Sequence, residues 1–386
     1  MQDYFLDMKN PTQMPQKSTI HKDRVNQAAA CEKPDRIPRD FAAVPEVWKK
    51  LAAHFGSDDR NAILKRLDVD CRIVSYDSFC CPPDVPLADI DQSASRERSS
   101  VGGMWRRTES DGTNRDIWGA HRKRVATPFG ELDELASFPL EAANTVEDLK
   151  RYHWPSTEWW NFSNLPATIE SFDDLEAYNI RYRVGSVFET AWSLVGLEKF
   201  LEDLAIAPDL PRYIMERIAE VHLDNLQRVL ELAGDLIDIV YFYDDVATQE
   251  SLLVSPEMYG RYIQPFHQRI IDLAASHGKR AMLHCCGSVY PLINHLIEMG
   301  LRVLNPIQPS AQNMDPERLA REFGGRIAFH GGIDVQQFLP KATPEQVQEK
   351  VRYTSELLGT NGGYILAGSH HIQGDVPLEN VLAMYS

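Results

Sequence analysis

From Asp35 to its end the chain alternates short β-rich runs with long helical patterns, an order that favours a parallel sheet covered by helices. Eight runs read as strands: Arg36–Phe41, Arg72–Tyr76, Asn179–Gly185, Asp238–Tyr243, Arg280–His284, Leu301–Asn305, Arg326–Phe329 and Tyr364–Ala367. The helices between the later runs carry start and stop signals. Ser255-Pro256-Glu257 opens a segment ending at Gly278, Asp315-Pro316-Glu317 one ending at Gly324, and Thr343-Pro344-Glu345 one ending at Gly359. Eight parallel strands with intervening helices make an α/β chain of the TIM (β/α)8 barrel type. A doubly wound open sheet is the rival, and no Gly-rich phosphate loop supports it.

Two regions depart from the alternation. Residues 1–30 are expected to be a polar N-terminal arm, because Pro11 and Pro15 break any helix near its start and no apolar period is present. Residues 31–386 then form a single barrel, with an insertion at about 95–160. Within it, Met104–Thr108, Asp116–Val125 and Gly130–Phe138 read as strands of an antiparallel meander. Thr145-Val146-Glu147-Asp148 has the spacing of a capping box, and Tyr152, His153, Trp154, Trp159 and Trp160 form an aromatic cluster suited to packing a cap on the barrel.

Composition narrows the function classes. With 40 Lys and Arg against 56 Asp and Glu the formal charge is −16, a field that repels phosphate backbones and anionic membranes. Nucleic acid and membrane are therefore not expected partners. MQDYFLDMKN carries acids where a secretory signal needs a basic and then apolar stretch, so the expected location is the cytoplasm. Six cysteines, including the adjacent pairs Cys80-Cys81 and Cys285-Cys286, are too few for a disulfide scaffold and read as thiols.

The active face of such a barrel lies at the C-terminal ends of its strands, so the residues that follow each run matter most. The third run leads to Glu189 and Trp192, the fourth to Asp244, Asp245 and Gln249, and the fifth to His284-Cys285-Cys286-Gly287. The sixth leads to Asn305 and Gln308, the seventh to His330-Gly331-Gly332-Ile333-Asp334, and the eighth to Ser369-His370-His371. His284 and Cys286 are two apart at a strand end, so both side chains point the same way while Cys285 points away. Imidazole with thiolate favours zinc, although a His and a Cys at the end of a buried strand can also simply be packed. A third ligand is required. His370 or His371 is the best candidate, and Glu189 or Asp244 could complete the shell. Asp244 and Asp245 close a very apolar run, where an unpaired carboxylate is costly, so one of them can serve as acid, base or substrate contact while capping a helix is the bland alternative. Tyr76 and Trp192 suit either core or a substrate platform. His330 and Asp334 flank Gly331-Gly332, where a tight loop would expose backbone amides to a ligand.

Read together, these blocks resemble the uroporphyrinogen decarboxylase superfamily, and within it the methyltransferase branch that serves corrinoid-dependent methyl transfer. The resemblance runs from about Lys33 to Tyr385. Its carriers are Lys33–Pro38, Asp116-Ile117-Trp118-Gly119, Val187–Trp192, Asp244-Asp245 with Thr248-Gln249, His284–Gly287, Asn305–Pro309, Gly331–Asp334, and Ser369–Gln373 before Val376-Pro377. The resemblance implies a TIM barrel and a zinc held by a His-x-Cys pair, here His284 and Cys286, plus a later ligand after the last strand. That ligand is typically Cys in coenzyme M methyltransferases, whereas the matching position here is His370. The departure weakens a thiol-acceptor chemistry without removing the metal. True uroporphyrinogen decarboxylases carry an Arg-rich segment after the first strand, where this chain has Ala42–Trp48, so tetrapyrrole decarboxylation is a poor reading.

The resemblance thus implies zinc at His284, Cys286 and His370; beside it, the strand ends offer Glu189, Asp244 and Asp245 as candidate catalytic residues and Tyr76, Trp118, Trp192, Gln249, Asn305, His330 and Asp334 as candidate substrate contacts. The corrinoid (cobalamin) is expected on a partner protein, because none of the twelve histidines lies in an Asp-x-His-x-x-Gly arrangement. The leading expectation is demethylation of a small methylated compound, such as a methoxylated aromatic, onto that corrinoid protein. Transfer from methylcorrinoid to tetrahydrofolate or a thiol is the second, separable by whether methylcobalamin is product or donor. A decarboxylase of a non-porphyrin acid would release carbon dioxide, and a non-catalytic binding barrel would bind a small molecule without methyl exchange.

Overall fold

The structure, a computed structural model, describes residues 19–82, 106–128, 130–172 and 175–386. Most of the expected arm, and Met104 and Trp105 of the expected meander, lie outside these residues. The strands are β1 (Cys71–Ser75), β2 (Arg106–Thr108), β3 (Asn114–Asp116), β4 (His121–Thr127), β5 (Gly130–Ser137), β6 (Asn179–Gly185), β7 (Ile239–Tyr243), β8 (Arg280–His284), β9 (Val303–Ile307), β10 (Ala328–Ile333) and β11 (Tyr364–Gly368). Seven of them form one parallel sheet in the order β1-β6-β7-β8-β9-β10-β11. The expected run Arg36–Phe41 makes no ladder of its own, since Pro38 has no N–H to give. It bridges Leu366 through Arg39, Pro38 O accepts from Leu366 N, and Arg39 O accepts from Asp70 N beside β1. That segment therefore sits between β11 and β1 and closes the ring as its eighth stave, giving the TIM barrel.

Each strand has two buried faces, and the inner one changes character along its length. Cys71, Ile73, Ile239, Tyr241, Met282, Val303, Ala328 and Ile365 form one apolar cluster at the start of the strands. Stepping on by two residues on the same face, the side chains become His284, Asn305 and His330, with Arg181 on β6. The polar layer is thus carried by the period-two alternation itself. β9 and β10 extend past the expected ends at Asn305 and Phe329. Pro306 lies after the last β8–β9 pair, and the β9–β10 ladder shifts register between Phe329 and Gly331 before resuming.

The expected arm differs most. Ile20–Ala29 is a helix, α1, with Val25, Ala28 and Ala29 fully buried under the apolar inner cluster. Its apolar face is too short to show as a period, because small alanines complete it. Charge pins the helix as well: Arg24 meets Asp35 at 2.6 Å and Asp70 at 2.7 Å, and His21 meets Asp70 at 2.7 Å. The start of the chain's described part is thereby a plug on the N-terminal end of the barrel.

The insertion is an antiparallel sheet in the order β2-β3-β4-β5. The expected strand Asp116–Val125 is broken, because Asp116 Oδ1 accepts from Trp118 N and Ala120 N, both at 3.0 Å, and turns the chain between β3 and β4. Thr145 and Asp148 form the expected capping box. The segments opened by Ser255, Asp315 and Thr343 are helical and N-capped by those side chains, the first with a π-helical stretch at Tyr259–Ile263.

Candidate metal centre

β8 ends at His284, and the chain then turns through Cys286-Gly287. Gly287 adopts φ +87°, and a Cβ there would meet the Thr248 carbonyl oxygen at 2.3 Å, so the turn that presents Cys286 requires glycine. Gln308 Oε1 holds the turn by accepting from Gly287 N at 2.6 Å, and Gln249 Nε2 donates to the same oxygen at 2.9 Å. Asp245 Oδ1 accepts from Cys286 N at 2.7 Å. His370 arrives from the segment after β11. The Cys286 Sγ is 3.2 Å from His284 Nε2, and the ligand atoms of His284, Cys286 and His370 all lie within 4.8 Å of one another. Two imidazoles and one thiol converging in this way fit a zinc ion with room for a further ligand.

The electrostatics agree with that donor set. Burial, then His284, lower the His370 imidazole to about 4, and burial with the neighbouring imidazoles lowers His371 to about 3. Both rings are therefore neutral at pH 7, the form that ligates a metal. The Cys286 thiol is pushed up by burial, Asp245, Cys285 and Glu189, so it stays protonated unless a cation compensates. His371 stands beside His370, ring centroids 5.0 Å apart, and does not join the three-residue cluster.

Behind His284 runs a chain of buried polar groups. His284 Nδ1 meets Asn305 Oδ1 at 2.6 Å, Asn305 Nδ2 meets His330 Nδ1, and His330 Nε2 meets Asp40 Oδ2 at 2.7 Å. Arg181 Nη2 lies 2.7 Å from the same Asp40 oxygen. Burial disfavours the Asp40 charge, yet Arg181 and His330 hold it well below the usual carboxylate range. These residues, with Tyr241, His370 and His371, line a chamber on the inner face of the barrel. Asn305 and His330, expected to contact substrate, thus stand directly behind His284.

A second chamber lies under the meander, lined by Tyr76, Asp77, Trp118, Arg122, Glu189 and Tyr243 among others. Burial, then the charges of Asp245 and Asp244, raise the Glu189 carboxyl to about 8, so it keeps its proton at neutral pH. His222 backs this chamber with its ring edge against Tyr76 and Trp118, and burial lowers it to about 4. Gly185, at φ +125°, leaves the space that His222 fills: a Cβ would lie 2.3 Å from its Cε1.

The structure gives other expected site residues different tasks. Asp244 is fully buried and saturated, accepting from Val187 N at 3.0 Å, Glu189 N at 2.8 Å and His267 Nε2 at 2.8 Å. It ties β7 to the helix Phe188–Val195 and has no face left for a substrate. Asp334 Oδ1 accepts from Gln336 N and Gln337 N and closes a turn. Gln249 braces the Gly287 turn, as above, and Trp192 packs its half-buried ring against the outer core, outside both chambers.

Sequence reasoning missed Asp40, Arg181, Arg183, His222 and His267. Arg181 and Arg183 were visible in principle, since two arginines on one face of the buried strand Asn179–Gly185 need partners, which are Asp40 for one and Asp77 for the other. His222 and His267 sit on helices with nothing in their local pattern to mark them.

Residues 138–386, more than half of the chain, match the family described as uroporphyrinogen decarboxylase (URO-D). A methylated-thiol–coenzyme M methyltransferase of Methanosarcina mazei is 28% identical over 145 residues, which are 38% of this chain and 36% of that protein. The matched part is thus little more than a third of that relative's length. In structure, a methyltransferase from Methanosarcina mazei superposes with a TM-score of 0.62 at 16% identity, covering 95% of this chain and 97% of the other, which establishes the shared fold. The fold, the polar strand ends and the matched residues lead to one conclusion: the chain belongs to the uroporphyrinogen decarboxylase family.

Proposed function

We propose that the protein is a zinc-dependent methyltransferase that moves a methyl group from a small methylated substrate to a corrinoid carried by a partner protein. The observation that carries this reading is the convergence of His284, Cys286 and His370 at the C-terminal mouth of the barrel, with ligand atoms within 4.8 Å of one another. Zinc held there would supply Lewis acidity toward the heteroatom that bears the methyl group.

The protein's own residues account for the rest. A methyl group leaves formally as a cation, so the heteroatom keeps the bonding pair and needs a proton. Glu189, kept protonated at neutral pH by burial and the charges of Asp245 and Asp244, would give it, and Asp245 fixes the Cys286 backbone. Tyr76, Trp118 and Tyr243 wall the adjoining chamber with rings that keep water from a methyl-bearing group. His267 and Asp244 hold the helix start that carries Glu189.

The direction of transfer has two readings. Transfer from the methylated substrate to the corrinoid is the first; transfer from methylcorrinoid to a thiol is the second, in line with the thiol acceptor in the name of the similar methylated-thiol–coenzyme M methyltransferase. The zinc-bound protein incubated with a reduced corrinoid protein and a methylated ether or thioether should form methylcorrinoid, followed by absorbance. Formation only of demethylated corrinoid from methylcorrinoid plus thiol would support the second. No exchange in either direction, with zinc bound, would contradict both.

A further inference from the structure

The buried chain His284–Asn305–His330–Asp40–Arg181 has a direction that can be read from its far end. Asp40 is 3% exposed and lies against the Arg181 guanidinium, so its carboxylate is ionised and can only accept. The nitrogen of His330 facing it at 2.7 Å must therefore carry a proton. Arg181 Nη1 also stands 3.5 Å from that nitrogen, too far to compete with a charge-assisted bond. His330 is buried and its imidazole lowered by burial, hence neutral, which leaves a lone pair on Nδ1. Asn305 must then turn its Nδ2 toward His330 and its Oδ1 toward His284. An oxygen at 2.6 Å requires a proton on His284 Nδ1, and the lone pair of His284 is consequently on Nε2, the atom that faces Cys286 Sγ.

We propose that Asn305, His330 and Asp40 are positioning residues that lock His284 in the Nδ1–H tautomer and so present its Nε2 lone pair to a metal. A histidine side chain in water prefers the opposite, Nε2–H tautomer, which could not ligate through that nitrogen. The lock overrides this preference before any metal arrives, and it is set three residues away from the ligand. Reversing the chain would require a protonated Asp40 next to Arg181, a second proton on the buried His330, or two lone pairs facing each other across the His330–Asn305 contact. Carboxylate and carbonyl partners behind ligating histidines are known to govern both ring orientation and ligand basicity. Here an amide transmits that control from a buried ion pair.

The inference rests on the zinc reading above, but its first readout needs no zinc. In metal-free protein labelled with 15N-histidine, with His284 assigned by the signals lost in His284→Ala, the Nδ1–H tautomer is expected. Asn305→Leu, which removes the acceptor, should shift His284 to Nε2–H and weaken zinc binding about 10–100-fold in competition with a chelator. Asn305→Asp keeps an acceptor for His284 and should retain both the tautomer and an affinity within about threefold of wild type. His330→Leu, remote from the ligand, should move both readouts in the direction of Asn305→Leu. An Nε2–H tautomer in the wild-type protein would overturn the proposal even if a variant failed to fold. So would Asn305→Leu and His330→Leu that lower only the melting temperature while tautomer and zinc affinity stay unchanged. Failure of the wild type to bind zinc, with the Nδ1–H tautomer observed, would instead overturn the metal reading and leave the lock intact.

Discussion

Glu189, on the helix that follows β6, and Asp244, just after β7, differ in what surrounds them. Asp244 accepts three hydrogen bonds and is spent on structure, whereas Glu189 is raised to about 8 by burial and two nearby carboxylates. A carboxyl whose folded value lies above its unfolded value of 4.5 binds more protons when folded, between those two pH values. Its contribution therefore makes metal-free protein lose stability as pH rises from about 4.5 to about 8. Urea denaturation across that range should show the decline in wild type and a flatter profile in Glu189→Gln, with methyl transfer in the variant reduced about 10²–10⁴-fold. An identical pH profile in both proteins would remove Glu189 from the role of proton donor. For Asp244→Ala the expected effect is on folding, a loss of about 3 kcal/mol with an unchanged denaturant slope, because two backbone N–H groups and His267 lose their acceptor. Some of this was legible from the residues alone. The His-x-Cys spacing and the polar ends pointed to the region where His284, Cys286 and His370 come together, and His370 rather than His371 completes that cluster. The saturation of Asp244 was not legible, since its partners Val187 and His267 lie 57 and 23 residues away.

Among the elements, β6 and α1 carry the most instruction. β6 matches its expected bounds, yet its alternation hides two buried arginines, and only the ring of strands shows that Arg181 faces Asp40 across the interior. The eighth stave reads as a strand from composition, but Pro38 reduces it to bridges. In the sequence α1 does not stand out as a helix, because the apolar part of its buried face is only Val25, Ala28 and Ala29, too small to show against a polar background. Its contribution is accessible to experiment. Val25→Ala should destabilise the protein by about 2 kcal/mol, and Val25→Asp by considerably more, through a charge placed in the apolar cluster to which Cys71, Ile239 and Met282 also belong. Chemical denaturation would check both, and a wild-type midpoint for Val25→Asp would show that the helix does not plug the barrel.

For the whole molecule, the eight staves place two imidazoles, a thiol and a buried carboxyl at one mouth, above an interior that grades from apolar to charged. No helix among the described residues is long and apolar enough to cross a membrane. Because Cys286 is held protonated by burial and Asp245, metal uptake must release its proton, and zinc affinity should rise with pH between about 6 and 8. Titration of metal-free protein with zinc at several pH values, in two buffers of different ionisation enthalpy, would measure that release; uptake without proton release would mean that Cys286 is not a ligand. The ligand set itself can be measured directly. Elemental analysis of the purified wild type beside His284→Ala, Cys286→Ala and His370→Ala should give about one zinc per chain in the first and a loss of it in each variant, with the fold preserved by circular dichroism. A wild type that neither contains zinc nor takes it up, or a His370→Ala variant that retains it fully, would contradict the account.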